Sequence, residues 1–240
     1  MVKLTTELIN SCMQYINPCR DRELDLRGYK IPEIQNMGST LDQFDTIDFS
    51  DNDLRKLGGF PHLQRIKCLL LNNNRIARIA DDLHETIPNL ESLILTGNNL
   101  QDLGDIDSLS KLPKLAVLSL LTNPIASKKH YREYVIFKLP HLHLLDFKKI
   151  KQKERMEAVA FFKSKKGKEI QKEIQKRSRL NLVTSAENDK PKVQNVNADI
   201  QKIREAISKA TSLQEVERLT KMLTSGQISS EFFNEDEMMN

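Results

Sequence analysis

The sequence predicts an α/β solenoid of about five stacked repeats, with parallel strands on a concave face, a cap at each end and a helical C-terminal extension. Three observations predict it. Between residues 44 and 125, four stretches share one apolar pattern in phase: Phe44, Ile47, Phe49, Leu54; Ile66, Leu69, Leu71, Ile76; Leu90, Leu93, Leu95, Leu100; and Leu115, Leu118, Leu120, Ile125. Each stretch carries an asparagine at one offset (Asn52, Asn74, Asn98 and Asn123), stepping by 22, 24 and 25 residues. In the return segments a proline stands two residues before a core leucine: Pro61 before Leu63, Pro88 before Leu90, Pro113 before Leu115 and Pro140 before Leu142.

The residue types follow from the physics of stacking. In a short L-x-L strand alternate side chains point to opposite faces. One repeat cannot cover its own leucines, so neighbours stack into a continuous core. The asparagine amide both donates and accepts, and so can satisfy backbone groups where the chain leaves the strand. Proline ends the preceding turn and re-aims the chain. Unrelated amphipathic strands would share no such period, and together these features define a leucine-rich-repeat solenoid.

The flanking elements read in order. Leu4, Leu8, Cys12 and Ile16 at spacing four predict a helix over 4–16, with Thr5 as its N-cap. Residues 1–20 would then be the N-terminal cap. A degenerate first repeat follows at Leu24, Leu26, Ile31 and Ile34, with Tyr29 in place of the asparagine. Short helices or 3₁₀ turns are expected on the convex side near 81–86 and 108–111. Tyr131, Tyr134, Leu142, Leu145 and Asp146 predict a C-terminal cap, closing the repeat domain (21–147) at about residue 147. In the basic flank, 148–180, a helix over 151–178 would rest Met156, Val159, Ala160 and Phe162 on the cap, interrupted at Gly167. Residues 181–198 read as a linker, 199–226 as a helical pair and 227–240 as an acidic tail.

Composition bounds the function. The chain has 240 residues, 29% of them charged, with 5% aromatics and no Trp. No apolar run is long enough for a membrane span, and no secretory signal is expected at the N-terminus. Three cysteines without metal spacing predict a reducing compartment, cytosol or nucleus. Net charge is +4, but residues 148–180 hold 13 Lys and Arg against four Asp and Glu, so +9 there leaves −5 for the remainder. That asymmetry points to a polyanionic partner at one end, beside the plainer reading of a solvated helix face.

No catalytic motif is present: no Gly-rich phosphate loop and no His-Glu-x-x-His. His141 and His143 share a face, with Cys68 or Asp146 as conceivable third ligands, but a third ligand is usually missing from such pairs. A Cys68–His dyad has no support from spacing. The sequence therefore predicts neither an enzyme nor a metal or cofactor. It predicts a surface. Strand alternation turns Asp25, Arg27, Thr46, Asp48 and Ser50 to the concave side, followed by Cys68, Leu70 and Asn72, by Ser92, Ile94 and Thr96, and by Val117, Ser119 and Leu121. Leu70, Ile94, Val117 and Leu121 fall on adjacent strands, and a contiguous exposed apolar patch marks a partner site.

The stretches MVKLT (1–5), RDRELDLRGYKIP (20–32), LDQFD (41–45), KKHYR (128–132), EVERL (215–219) and SGQI (225–228) resemble the A-prime family of the U2 small nuclear ribonucleoprotein. The likeness covers nearly the whole chain except the linker and the tail. It implies a non-enzymatic nuclear spliceosomal protein without cofactor. It implies binding of the B-double-prime protein, an RNA-recognition-motif protein, and with it a stem-loop of U2 small nuclear RNA, among other proteins of that particle. The concave face would grip a helix of the RNA-recognition domain. Lys149, Lys151, Lys153 and Arg155 would lie near the RNA stem. A leucine-rich-repeat regulatory subunit of a protein phosphatase, or another protein-only adaptor, explains the concave face but not the basic flank.

Overall fold

Each L-x-L triplet forms a short strand in the computed structural model, which describes residues 2–188, with side-chain surroundings as far as residue 177. The strands are β1 (Gln14–Ile16), β2 (Arg22–Asp25), β3 (Thr46–Asp48), β4 (Lys56–Leu57), β5 (Cys68–Leu70), β6 (Arg78–Ile79), β7 (Ser92–Ile94), β8 (Val117–Ser119), β9 (Leu144–Leu145) and β10 (Lys148–Lys149). One sheet runs β1-β2-β3-β5-β7-β8-β9-β10. It is parallel from β2 to β9 and closed at both edges by an antiparallel strand. β4 and β6 pair separately. The helices are α1 (Thr6–Ser11), α2 (Leu83–Thr86), α3 (Tyr131–Lys138), α4 (Gln152–Lys163) and α5 (Lys165–Asn188), with 3₁₀ segments at Met37–Thr40, Leu103–Lys111 and Pro124–Ser127. Among the described residues no helix is long and apolar enough to cross a membrane.

The apolar pattern is the core: every one of the sixteen in-phase residues is buried. The asparagines form a ladder. The Asn52 carbonyl accepts from Ile31 N–H (2.9 Å), that of Asn74 from Leu54 N–H (3.1 Å), that of Asn98 from Ile76 N–H (2.9 Å) and that of Asn123 from Leu100 N–H (3.2 Å). Each amide nitrogen donates back one repeat: to Leu26 (2.7 Å), Phe49 (2.9 Å), Leu71 (2.8 Å) and Leu95 (2.7 Å) carbonyls respectively. The ladder thus ties each loop to its predecessor, which buried backbone groups require. Tyr29 is tolerated because no earlier repeat offers a loop to bond.

The N-terminal cap differs from the predicted helix over 4–16. Thr5 does cap α1, its hydroxyl accepting from Leu8 N–H at 3.3 Å, but the helix ends at Ser11. The chain then straightens into β1, and Ile16 is 65% exposed instead of buried. The free edge of β2 explains this. Its unpaired backbone groups gain a full ladder from β1, and Tyr15 and Ile16 suit a strand. The Tyr15 hydroxyl donates to Glu23 at 2.8 Å, and that bond is the first reason its phenol is pushed up to about 12.

The C-terminal cap extends past residue 147. Tyr131 donates to Asp146 (2.9 Å), whose other oxygen accepts from Leu120 N–H (2.8 Å), and Tyr134 donates to Asp107 (2.7 Å). Core packing continues through Ile150, Ala158, Phe162 and Ile174, all buried. The Phe162 ring lies 5.6 Å from that of Tyr134 and 5.0 Å from that of Phe137. Met156 and Ala160 point outward, unlike the prediction. α5 runs to Asn188, eight residues into the expected linker, because no proline interrupts it before Pro191. The helical pair and the acidic tail lie outside the described residues.

The break between α4 and α5 is at Ser164, not Gly167: the Ser164 hydroxyl accepts from Gly167 N–H at 3.2 Å. Gly167 is buried in the first turn of α5, and a Cβ there would strike the Phe161 carbonyl oxygen and lie 2.6 Å from Phe162 Cα. Gly167→Ala gains up to about 1 kcal/mol of helix propensity, yet this backbone clash outweighs it. A net loss of about 1–3 kcal/mol in urea unfolding is expected; a stabilised variant would contradict the close packing of α5.

Candidate functional site

Strand register arranges the concave side chains in rows. Glu23, Thr46, Cys68, Ser92, Val117 and Leu144 make one row; Asp25, Asp48, Leu70, Ile94 and Ser119 make the next. Beyond the strands the ladder continues through Asn72, Thr96 and Leu121, whose carbonyls accept from Asp51, Asn73 and Gly97 N–H groups at 2.9 Å each. Leu70 and Ile94 are therefore direct neighbours. Val117 sits one row before Ile94, and Leu121 one row beyond Ser119. The four apolar side chains form a zigzag over three strands.

Their exposure is lower than alternation alone predicts. Leu121 is 38% exposed, whereas Leu70, Ile94 and Val117 are half-buried, because strands about 4.8 Å apart shade one another. Two predicted partner-binding residues are covered in the free chain. Ser119 is fully buried and shares a hydrogen bond with Thr96 (3.0 Å). Asp48 is buried, and burial is the main reason its carboxyl is raised, against its bonds from Ser50. The first end of the face is ionic. Arg27 grips Asp25 through Nε at 2.9 Å and lies 3.5 Å from Asp48, and the Arg27 bond holds the Asp25 carboxyl below its ordinary range. Asn72 donates to Ser50 at 3.2 Å. Burial pushes the Cys68 thiol up to about 11, the opposite of an activated nucleophile. Among the described residues no three His, Cys, Asp or Glu side chains are placed to hold a metal ion.

The basic end is built by the C-terminal cap. Lys149 lies on β10, Lys151 precedes α4 and Lys153 is in its first turn; all three are exposed. Lys153 also stands 3.9 Å from Glu157. Arg155 departs from the prediction. Its guanidinium donates to the Leu142 carbonyl at 2.7 Å and to that of Pro140, pinning α4 to the loop before β9. Those bonds make it a structural clamp, not an open cation. Two contributors escaped sequence reasoning. Arg132 bonds Glu154 at 2.7 Å and reaches the Lys149 carbonyl at 3.4 Å; the Arg132 bond is the first cause that holds Glu154 at about 2. Phe147 is 61% exposed and sits with Asp146 in the tight β9–β10 turn, both with positive φ. The two-residue spacing between Leu145 and Lys148 was its only sequence signal.

A leucine-rich-repeat family model matches residues 1–175. The probable U2 small nuclear ribonucleoprotein A' of Drosophila melanogaster is 57% identical over 246 residues, covering 99% of this chain and 93% of the relative. The U2 small nuclear ribonucleoprotein A' of Homo sapiens is 55% identical over 229 residues, covering 95% of this chain and 90% of the relative. A chain of the crystal structure of the Drosophila melanogaster SNF/U2A' complex superposes with a TM-score of 0.71 at 65% identity, covering 72% of this chain and 100% of that chain. The repeat core, its two caps and this similarity along almost the whole length agree: the chain belongs to the leucine-rich-repeat U2 small nuclear ribonucleoprotein A' family, and is a non-enzymatic component of the spliceosomal U2 particle.

Proposed function

We propose that the concave sheet takes a helix of an RNA-recognition-motif protein of the B-double-prime type, and that the pair holds a stem-loop of U2 small nuclear RNA in the nucleus. The observation that carries this is the side-by-side placement of Leu70 and Ile94, flanked by Val117 and Leu121. An apolar groove with a polar border suits one face of an amphipathic helix. Arg27, Asp25, Asn72 and Thr96 supply that border. The similar Drosophila structure, a complex of U2A' with SNF, supports a protein partner from the same particle. Lys149, Lys151 and Lys153 would meet phosphates of the stem. Lysine is a point charge without bidentate geometry, so these side chains position the RNA and read no bases.

Reconstitution with the partner and the RNA stem-loop tests the reading. Lys149→Glu, Lys151→Glu and Lys153→Glu should each weaken the ternary complex. Each should also lower the salt slope of binding by about 1 for every phosphate no longer neutralised, with loop preference unchanged. An unchanged slope would mean that these lysines are only solvated. Failure of the wild-type chain to capture U2 RNA from nuclear extract would remove the RNA half of the proposal.

A further inference from the structure

A second group of cations lines a cleft at the C-terminal cap. This cleft of about 410 Å³ opens between α5 and two turns of the repeat domain. That volume falls in the range of about 300–1,000 Å³ typical of ligand clefts. α5 contributes Lys166, Ile170, Glu173, Ile174 and Arg177, one stripe at helical spacing. Facing it are Asp102 and Leu103 from the start of a 3₁₀ segment, and Lys128, Lys129 and His130 from the turn into α3. Leu103 and Ile174 are buried and form an apolar floor, with Ile170 packed beside them. The His130 ring is held against Phe161 at 4.6 Å. Four fixed cations meet two carboxylates. Lys128 stands 3.9 Å from Asp102, whereas Lys129 and Lys166 have no ion-pair partner among the described residues.

We propose that this cleft binds a stretch of single-stranded RNA. Its rim of Lys129, Lys166 and Arg177 would neutralise consecutive phosphates, while one base rests on Ile170 and Ile174. An RNA strand fits better than a phosphopeptide for two reasons. Three of the four cations are lysines, which suit sequence-independent binding of phosphates, whereas phosphopeptide sites rely on arginine clusters. The aliphatic floor also accepts a base face by van der Waals contact, beside cations that track the backbone. The cleft shares no residue with Lys149, Lys151 and Lys153, so it stands apart from the function proposed above.

The test uses the full chain without its protein partner and a fluorescein-labelled decauridylate, read by anisotropy over a salt series. Lys129→Glu/Lys166→Glu should weaken binding at least tenfold at low salt. The salt slope should fall by about 1.4, since each neutralised phosphate of a single strand is worth about 0.7. Lys56→Glu/Lys114→Glu, at two exposed lysines outside both the cleft and the basic flank, should change binding of this probe much less. Should the reversal disturb folding, Lys129→Ala/Lys166→Ala is expected to weaken binding in the same direction. Equal binding by wild type and cleft variants would overturn the proposal, as would an equal loss in Lys56→Glu/Lys114→Glu. Tighter binding of a phosphoserine peptide of equal charge would also overturn it.

Discussion

Asn98→Ala is expected to lower the unfolding free energy by about 3–5 kcal/mol. Asn98 is 2% exposed. Its side chain accepts from Ile76 N–H at 2.9 Å and donates to the Leu71 and Leu95 carbonyls at 2.8 and 3.0 Å. Alanine would leave the Ile76 N–H as an unpaired buried donor, at about 1–3 kcal/mol, and would remove one bond, worth about 0.5–1.5 kcal/mol, from each of two carbonyls that keep another from Asn74 and Asn123. An interior repeat is coupled to neighbours on both sides, so the loss spreads along the stack. Asn98→Asp should be at least as costly: it keeps an acceptor for Ile76 but sets a carboxylate oxygen against two carbonyls. Asn99 is next in sequence but exposed, and Asn99→Ala should stay within about 0.5 kcal/mol. Urea unfolding with an unchanged m-value reads all three variants. A cost below about 1 kcal/mol for Asn98→Ala would mean that the ladder is incidental to stability.

The repeat core was legible because its signals are local. Alternation separates Leu69 and Leu71 from Leu70 within one L-x-L stretch, and the asparagine offset fixes the phase of four copies. Features that depend on lateral neighbours were not legible. Ser119 and Asp48 lie on the concave side as alternation requires, but adjacent strands cover them. The strand at Gln14–Ile16 arises from the open edge of β2, which no helical periodicity can report. Arg155 reads as one more cation in a basic run until the fold brings the Pro140 and Leu142 carbonyls to it. The cleft beside α5 joins residues more than forty positions apart, such as Lys129 and Arg177, and only packing brings them together.

The second large effect concerns the concave face. Leu70 pairs in register with Asp48 on one side and Ile94 on the other. Leu70→Arg/Ile94→Glu would therefore place opposite charges side by side in the free protein, next to an acid. Cross-strand pairs of this kind help a sheet by a few tenths of a kcal/mol, which offsets part of the apolar cover removed. The fold should survive with a change of about 1 kcal/mol or less. Under a bound helix the same charges would be buried without partners from that helix, at a cost of several kcal/mol in binding. Leu71 is the internal comparison: one position on, it is fully buried, and Leu71→Arg should abolish cooperative folding.

Calorimetric titration of the RNA-recognition-motif partner into the wild-type chain and into Leu70→Arg/Ile94→Glu, with the melting curve of each, tests the central claim most directly. The double variant should melt cooperatively near the wild-type temperature yet bind at least a hundredfold more weakly, about 2.7 kcal/mol. A folded double variant that binds the partner with full affinity would contradict it and move the interface off the concave sheet.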